Sequence, residues 1–356
     1  MPVQLKHHTV GSPAMDAMVA EVIALTFAKA TTHTVVSGGF GAGKSYALAR
    51  AIDVAAKAGL RVAALARGPL GISSYADFLV AVAQAVRQAG RSPVDVSSWR
   101  RELSDELHDV DLDELERRVL GAPGDSALVL VIESVDQLLH QIRSTDRPRL
   151  IDLLTRQSPR YLILGSAHGT GLVDELGEHI RFVRAEGVPD SEAAAELAVQ
   201  EARRLGAESP VVSERLLSDA STLDPAISRN WLFWSLVGRY LVVAKRDPLR
   251  WAEEDLRNRA ASHFDAMLLT LAPSEQRVLL ALAEAGGPRS VGELADSIGV
   301  RNQAAATALG RLLADDWVQI VEMSSEFDRR RTWYDIADRL LRAHLTADRA
   351  DGRMTL

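Results

Sequence analysis

The chain has 356 residues, 47% of them apolar and 25% charged, with a formal net charge of −7 and no cysteine. That length suits two or three domains with separate cores, in a soluble globular protein. The missing cysteines exclude a disulfide framework, thiolate metal sites and cysteine nucleophiles, and the negative charge confines any nucleic-acid contact to local basic patches. The first residues, Met1 to His8, lack the apolar core of a signal peptide, and no apolar run approaches the ~20 residues of a membrane span. A cytoplasmic protein without membrane contact is expected.

Residues 12–31 are predicted helical, with Met15, Met18, Val19, Val22, Ile23, Leu25 and Phe27 as an apolar stripe after Ser12-Pro13. Thr34 to Ser37 reads as a strand. It leads into Gly38-Gly39-Phe40-Gly41-Ala42-Gly43-Lys44-Ser45, and Tyr46 to about Ala58 has helical spacing. Strand, G-x-x-x-x-G-K-S and helix in this order form a phosphate-binding loop. Its glycines let backbone N–H groups point at an anion, and the helix offers its positive end. Lys44 is the expected partner of the β- and γ-phosphates, Ser45 a ligand of Mg²⁺, and Tyr46 the residue that closes the cofactor set. The chain is therefore expected to bind a nucleoside triphosphate.

Arg61 to Ala66 is the second predicted strand. Helices follow over Tyr75–Gln88 and Leu103–Val119, then the most apolar run of the chain, Ala127 to Ile132, as a central strand buried on both faces. A helix over Ile151–Arg156 and strands at Tyr161–Leu164 and Ile180–Val183 complete an alternating pattern, the mark of a doubly wound parallel α/β sheet. From Ser191 the strands stop. Residues 191–205, 210–222, 228–245 and 250–259 read as helices. Helices over Glu275–Ala285, Val291–Ile298 and Asn302–Leu313 then precede β-like runs at 317–321 and 331–336, which is winged-helix order. The expected division is a nucleotide-binding α/β domain (1–187), a helical lid (188–262), a winged helix (263–347) and a flexible tail (348–356).

The strand ending at Ile132 should supply the second half of the site. It continues Glu133-Ser134-Val135-Asp136. Two arrangements stay open: Glu133 as the magnesium ligand with Asp136 as general base, or Glu133 as the base itself. Ser134 stands where a base commonly sits, and a hydroxyl cannot take a proton at neutral pH, so hydrolysis should be slow. Ser166, after the strand at 161–164, is the candidate sensor of the γ-phosphate, with His168 as the alternative. Arg229 could report nucleotide state to the lid. No Arg or Lys lies between Gly165 and Ile180, where a neighbouring subunit's arginine finger would come from.

Phosphate loop, Glu-x-x-Asp, Ser166, helical lid and winged helix together resemble the prokaryotic AAA+ and STAND-type ATPases. The likeness is greatest to the initiator-like clade with a C-terminal winged helix. Its tail signature, Tyr-x-Ile-x-Asp-Pro-Leu-x-Arg, is matched by Tyr334 to Arg342 except that Arg339 replaces the Pro. The resemblance implies ATP with Mg²⁺, a possible nucleotide-dependent homo-oligomer, and protein partners in a multi-component system.

In the winged helix, Arg301, Asn302 and Gln303 open the helix that would enter the major groove of double-stranded DNA, and these side chains can read base edges. Arg329, Arg330 and Arg331 would present the wing to phosphates. The expected function is an ATP-driven switch that positions a DNA-binding winged helix. A STAND-type signalling scaffold using the winged helix for protein contact is the alternative, and an ATP-hydrolysing motor the third reading.

Overall fold

A computed structural model describes residues 13–27, 29, 31–65, 71–88, 112–120, 127–169, 176–243, 246–322 and 331–350. The first unit contains α1 (Pro13–Thr26), β1 (Thr34–Ser37), α2 (Lys44–Lys57), β2 (Arg61–Leu65), α3 (Tyr75–Gln88) and α4 (Leu112–Leu120). It continues with β3 (Leu128–Ile132), α5 (Val135–Gln141), α6 (Arg147–Thr155), β4 (Tyr161–Ala167) and β5 (Arg181–Arg184). All five strands are parallel, in the order β2-β3-β4-β1-β5.

Every residue of β1, β3 and β4 is buried. Alternation sends Leu128, Leu130 and Ile132 to a core shared with α3, α5 and α6, and Val129 and Val131 to one shared with α1 and α2. Each such side chain contributes about 1.5–3 kcal/mol on burial. The strand order brings the C-terminal ends of β1, β3 and β4 to one edge, the crevice where open parallel sheets bind ligands.

The second unit is helical: α7 (Ser191–Arg204), α8 (Glu214–Ser221), α9 (Pro225–Ser228), α10 (Trp231–Val242) and α11 (Pro248–Leu268). Side chains of Asp190, Ser213, Asp224, Asn230 and Asp247 cap their N-termini. The third comprises α12 (Pro273–Ala285), β6 (Arg289–Ser290), α13 (Val291–Ile298), α14 (Asn302–Ala314), β7 (Val318–Val321), β8 (Trp333–Ile336) and α15 (Arg339–Ala350). Its antiparallel sheet has the order β6-β8-β7. This is a winged helix behind a parallel α/β P-loop unit, as the sequence predicts.

Helical and winged units share a single core, in which Trp231, Phe233 and Phe264 meet Leu279, Leu309 and Trp317. Phe40 and Tyr46 of the phosphate-loop region pack against it.

Several elements differ from expectation. The first helix ends at Thr26, leaving Phe27 70% and Ile23 47% exposed. The chain must leave the helix there, because the Thr32 N–H donates to Glu21 Oε2 at 3.1 Å and Thr31 bridges to Ser158. The helix predicted over 103–119 is described only from Leu112. The last lid helix runs on from 259 to Leu268. Residues 348–350, expected in the flexible tail, continue α15, while 351–356 lie outside the described residues.

Candidate nucleotide site

The phosphate loop turns from β1 into α2 through Gly43, whose φ of 99° is left-handed and suits only glycine. A Cβ there would also meet the indole of Trp231 at 2.7 Å. No side chain caps α2, so its positive end faces the loop unshielded. The Lys44 ammonium folds back on the loop, donating to the carbonyl oxygens of Gly38 at 2.5 Å and Gly39 at 2.8 Å. Burial pulls its pKa down to about 8, opposed by the nearby Asp136 and Asp338 carboxylates.

Beside the loop lies a cavity of about 590 Å³, open to solvent. Gly38, Gly39, Phe40 and Ala42 line one side. Besides the acidic Glu186, Asp316 and Asp338, the other lining residues include three arginines from three units: Arg184 at the end of β5, Arg229 before α10 and Arg339 at the start of α15. All three arginines are exposed, and none has an ion pair or side-chain hydrogen bond among the described residues.

Contacts from both other units hold them onto the loop. Asn230 Nδ2 donates to the Phe40 carbonyl at 2.9 Å, the Trp231 N–H donates to Gly41 O at 2.9 Å, and the Trp231 ring stacks on Tyr46 with centroids 5.2 Å apart. From the winged helix, Asp338 Oδ2 accepts the Phe40 N–H at 3.3 Å, while Asp338 Oδ1 caps α15 by accepting from Leu340 (2.8 Å) and Leu341 (3.4 Å). Burial raises the Asp338 carboxyl, against these hydrogen bonds and Lys44.

The strand ends place the remaining predicted residues. Glu133 is half-buried at the end of β3, and burial raises its carboxyl. Ser134 adopts a left-handed φ of 57° and donates its N–H to Ser166 Oγ at 3.2 Å. Ser166 is 6% exposed, on β4 directly beside β1, so its hydroxyl joins two strand ends rather than facing the cavity. Asp136 Oδ2 accepts the His168 N–H at 2.9 Å, but its Oδ1 is buried with no partner.

The half-buried Glu133 carboxylate and the exposed Ser45 hydroxyl are hard oxygen donors of the kind Mg²⁺ takes, so these residues fit the ion. His168 and His263 approach each other at 6.2 Å, and burial followed by the Lys44 charge keeps both neutral, His168 down to about 3.

Arg156 is held by Glu116 at 2.7 Å and Arg181 by Glu21 at 3.0 Å, so neither reaches the loop. Asn230, Asp338 and Arg339 are residues the sequence reading leaves without a role. The tail signature contains the last two, and only its departure at Arg339 draws attention to the position.

On the winged helix, Arg301, Asn302 and Gln303 are exposed at the N-terminus of α14. The C-terminal end of the same helix faces the α/β unit, with Asp315 3.9 Å from His140 and the Asp316 side chain packed on Gly169. Arg331 is exposed and lies near Glu293, whereas Arg329 and Arg330 lie outside the described residues. No helix among the described residues is long and apolar enough to cross a membrane.

Three helices, a two-stranded wing and an exposed N-terminal helix face bring the comparison with known proteins to this segment. Residues 269–331 match the MarR family. No curated protein matches the chain in sequence. Among solved structures, the chain is similar to the Orc1 protein of Aeropyrum pernix in complex with DNA. The identity is 15% and the TM-score 0.47, over 96% of this chain and 93% of that one. It is also similar to the ORC2 protein of the same organism in ADPNP–ADP complexes (14%, TM-score 0.49, 95% and 94%). A third is Cdc6p of Pyrobaculum aerophilum (12%, TM-score 0.44, 99% and 98%). These likenesses concern the path of the chain alone.

Proposed function

We propose that the protein is an ATP-binding, slowly hydrolysing AAA+-like switch that couples nucleotide state to double-stranded DNA binding through its winged helix. The observation that carries this reading is the Asp338 carboxylate on the Phe40 N–H, by which the winged helix touches the phosphate loop directly. A ligand on that loop therefore changes what the winged helix can hold. The α/β unit, lid and winged helix act as three domains in this reading, with Gly38 to Ser45 on the phosphates and Arg229 on the cavity wall.

Ser45 and Glu133 would hold Mg²⁺, which would supply charge neutralisation at the phosphates. Asp136 is the preferred base, because its buried Oδ1 has no other partner; Glu133 then serves the cation. Slow turnover follows from Ser134, whose backbone is tied to Ser166 and whose hydroxyl is not a base at neutral pH.

The test is binding of labelled random-sequence duplex DNA with ATP, ADP or no nucleotide at two salt concentrations. The wild-type protein runs beside Arg301→Ala and Arg329→Ala/Arg330→Ala/Arg331→Ala. ATP-dependent, salt-sensitive binding is expected, with the salt slope reduced by about 1 for each phosphate contact removed. Asp136→Asn should abolish turnover and keep ATP binding. Absence of DNA binding in every nucleotide state, with a nucleotide-dependent change in particle size, would replace the reading by a signalling scaffold.

A further inference from the structure

The phosphate loop already has a carboxyl group seated against it. A loop built to surround a phosphate presents its Phe40 N–H to the Asp338 carboxylate, which stands so close to Gly39 that a Cβ there would lie 2.6 Å from Oδ2. Lys44 is turned onto the carbonyls of Gly38 and Gly39, within electrostatic reach of the same carboxylate. Phosphate and carboxylate thus compete for one cradle.

The next residue is Arg339. It lines the cavity beside the loop, has no partner of its own among the described residues, and stands where the tail signature has a proline. A guanidinium in that place is matched in charge and hydrogen-bonding geometry to phosphate oxygens.

We propose that the Asp338–Arg339 step is the winged helix's share of the nucleotide site. Asp338 occupies the phosphate loop when no nucleotide is bound, and Arg339 binds the terminal phosphate of the nucleotide that displaces it. Rearrangement at α15 is then enforced by charge, because carboxylate and phosphate cannot share the loop. The arginine that a neighbouring subunit would otherwise supply comes from the same chain. This inference rests on the loop being a nucleotide site, and it is independent of whether the winged helix meets DNA or protein.

Asp338→Asn separates the two roles of the side chain. Asparagine caps a helix as well as aspartate does, but it carries no charge and turns a donor toward the Phe40 N–H. Fluorescent ATP and ADP analogues are titrated into wild type, Asp338→Asn and Arg339→Gln. The expected result is that Asp338→Asn binds both nucleotides about fivefold or more tightly, since an internal competitor lowers apparent affinity by the fraction of loops it fills. Arg339→Gln should weaken ATP binding by about tenfold and ADP binding much less, as a lost charge-assisted contact to one phosphate requires.

Unchanged or weaker binding by Asp338→Asn shows that the carboxylate only caps α15 and overturns the proposal. Equal affinities of Arg339→Gln and wild type for ATP remove Arg339 from the site. If wild type and Asp338→Asn both fail to bind either nucleotide, the nucleotide-site reading falls with it. Binding by Asp338→Asn alone is the strongest support.

Discussion

His33 sits 1% exposed beneath the sheet, with its Nδ1 accepting the Ile163 N–H at 3.2 Å and its Nε2 without a partner. Burial pulls its pKa down to about 4, whereas in the unfolded chain it titrates at about 6.5. Between those values the unfolded state binds a proton that the folded state refuses. Its contribution to stability is therefore complete above about pH 6.5 and is lost as the pH falls toward 4. We expect His33 by itself to lower the unfolding free energy by about 1.4 kcal/mol per pH unit across this window, with the buried His168 adding to the slope, measured by urea titration at pH 7, 6 and 5. His33→Asn should flatten the slope by one proton, and a variant as acid-sensitive as wild type would show that other groups carry it. At this scale the sequence is mute: a His between Thr32 and Thr34 reads as a strand edge, and nothing local reveals the strand packed over it.

Elements were legible in proportion to how local their determinants are. The phosphate loop announces itself through spacing, and β3 through five consecutive apolar residues buried on both faces. β6 escaped because two residues, Arg289 and Ser290, hold no periodicity. The start of α10 was legible as a helix but not as part of the site. Asn230 meets Phe40 across 190 positions, a distance that no pattern within a helix encodes. Trp231 is 4% exposed and wedged between Tyr46 and Gly43. Trp231→Ala should cost about 3–5 kcal/mol by denaturant unfolding. Trp231→Phe, which keeps an aromatic ring on Tyr46, should cost less than half as much. Equal losses would mean that a phenyl ring at this position recovers neither the stack on Tyr46 nor the packing.

Over the whole molecule, one apolar core joining lid and winged helix limits how the units can move. Separating Phe264 from Trp317 and Leu309 would expose buried surface, whereas the attachments to the α/β unit combine polar contacts of Asn230, the Trp231 backbone, Asp315, Asp316 and Asp338 with the packing of Phe40 and Tyr46 at the loop. Lid and winged helix should therefore move as one body. The absence of native cysteine makes the measurement direct. Spin labels on Ala56→Cys and Ala306→Cys, exposed on α2 and α14, should change separation when ATP is added. Labels on Ser218→Cys and Ala306→Cys, exposed on α8 and α14, should not. A shift in the second pair with none in the first would place the hinge inside the shared core.

The hydrogen bond between Phe40 and Asp338 spans 298 positions, and it sets an order of events during synthesis. At roughly 5–20 residues per second, the ribosome exposes the loop roughly 15–60 s before the carboxylate that fits it. The nascent α/β unit meets cellular nucleotide first, with nothing of its own to put in the way. On the proposal made above, a newly finished molecule starts life loaded, and the self-occupied form is one it reaches only after letting its first ligand go.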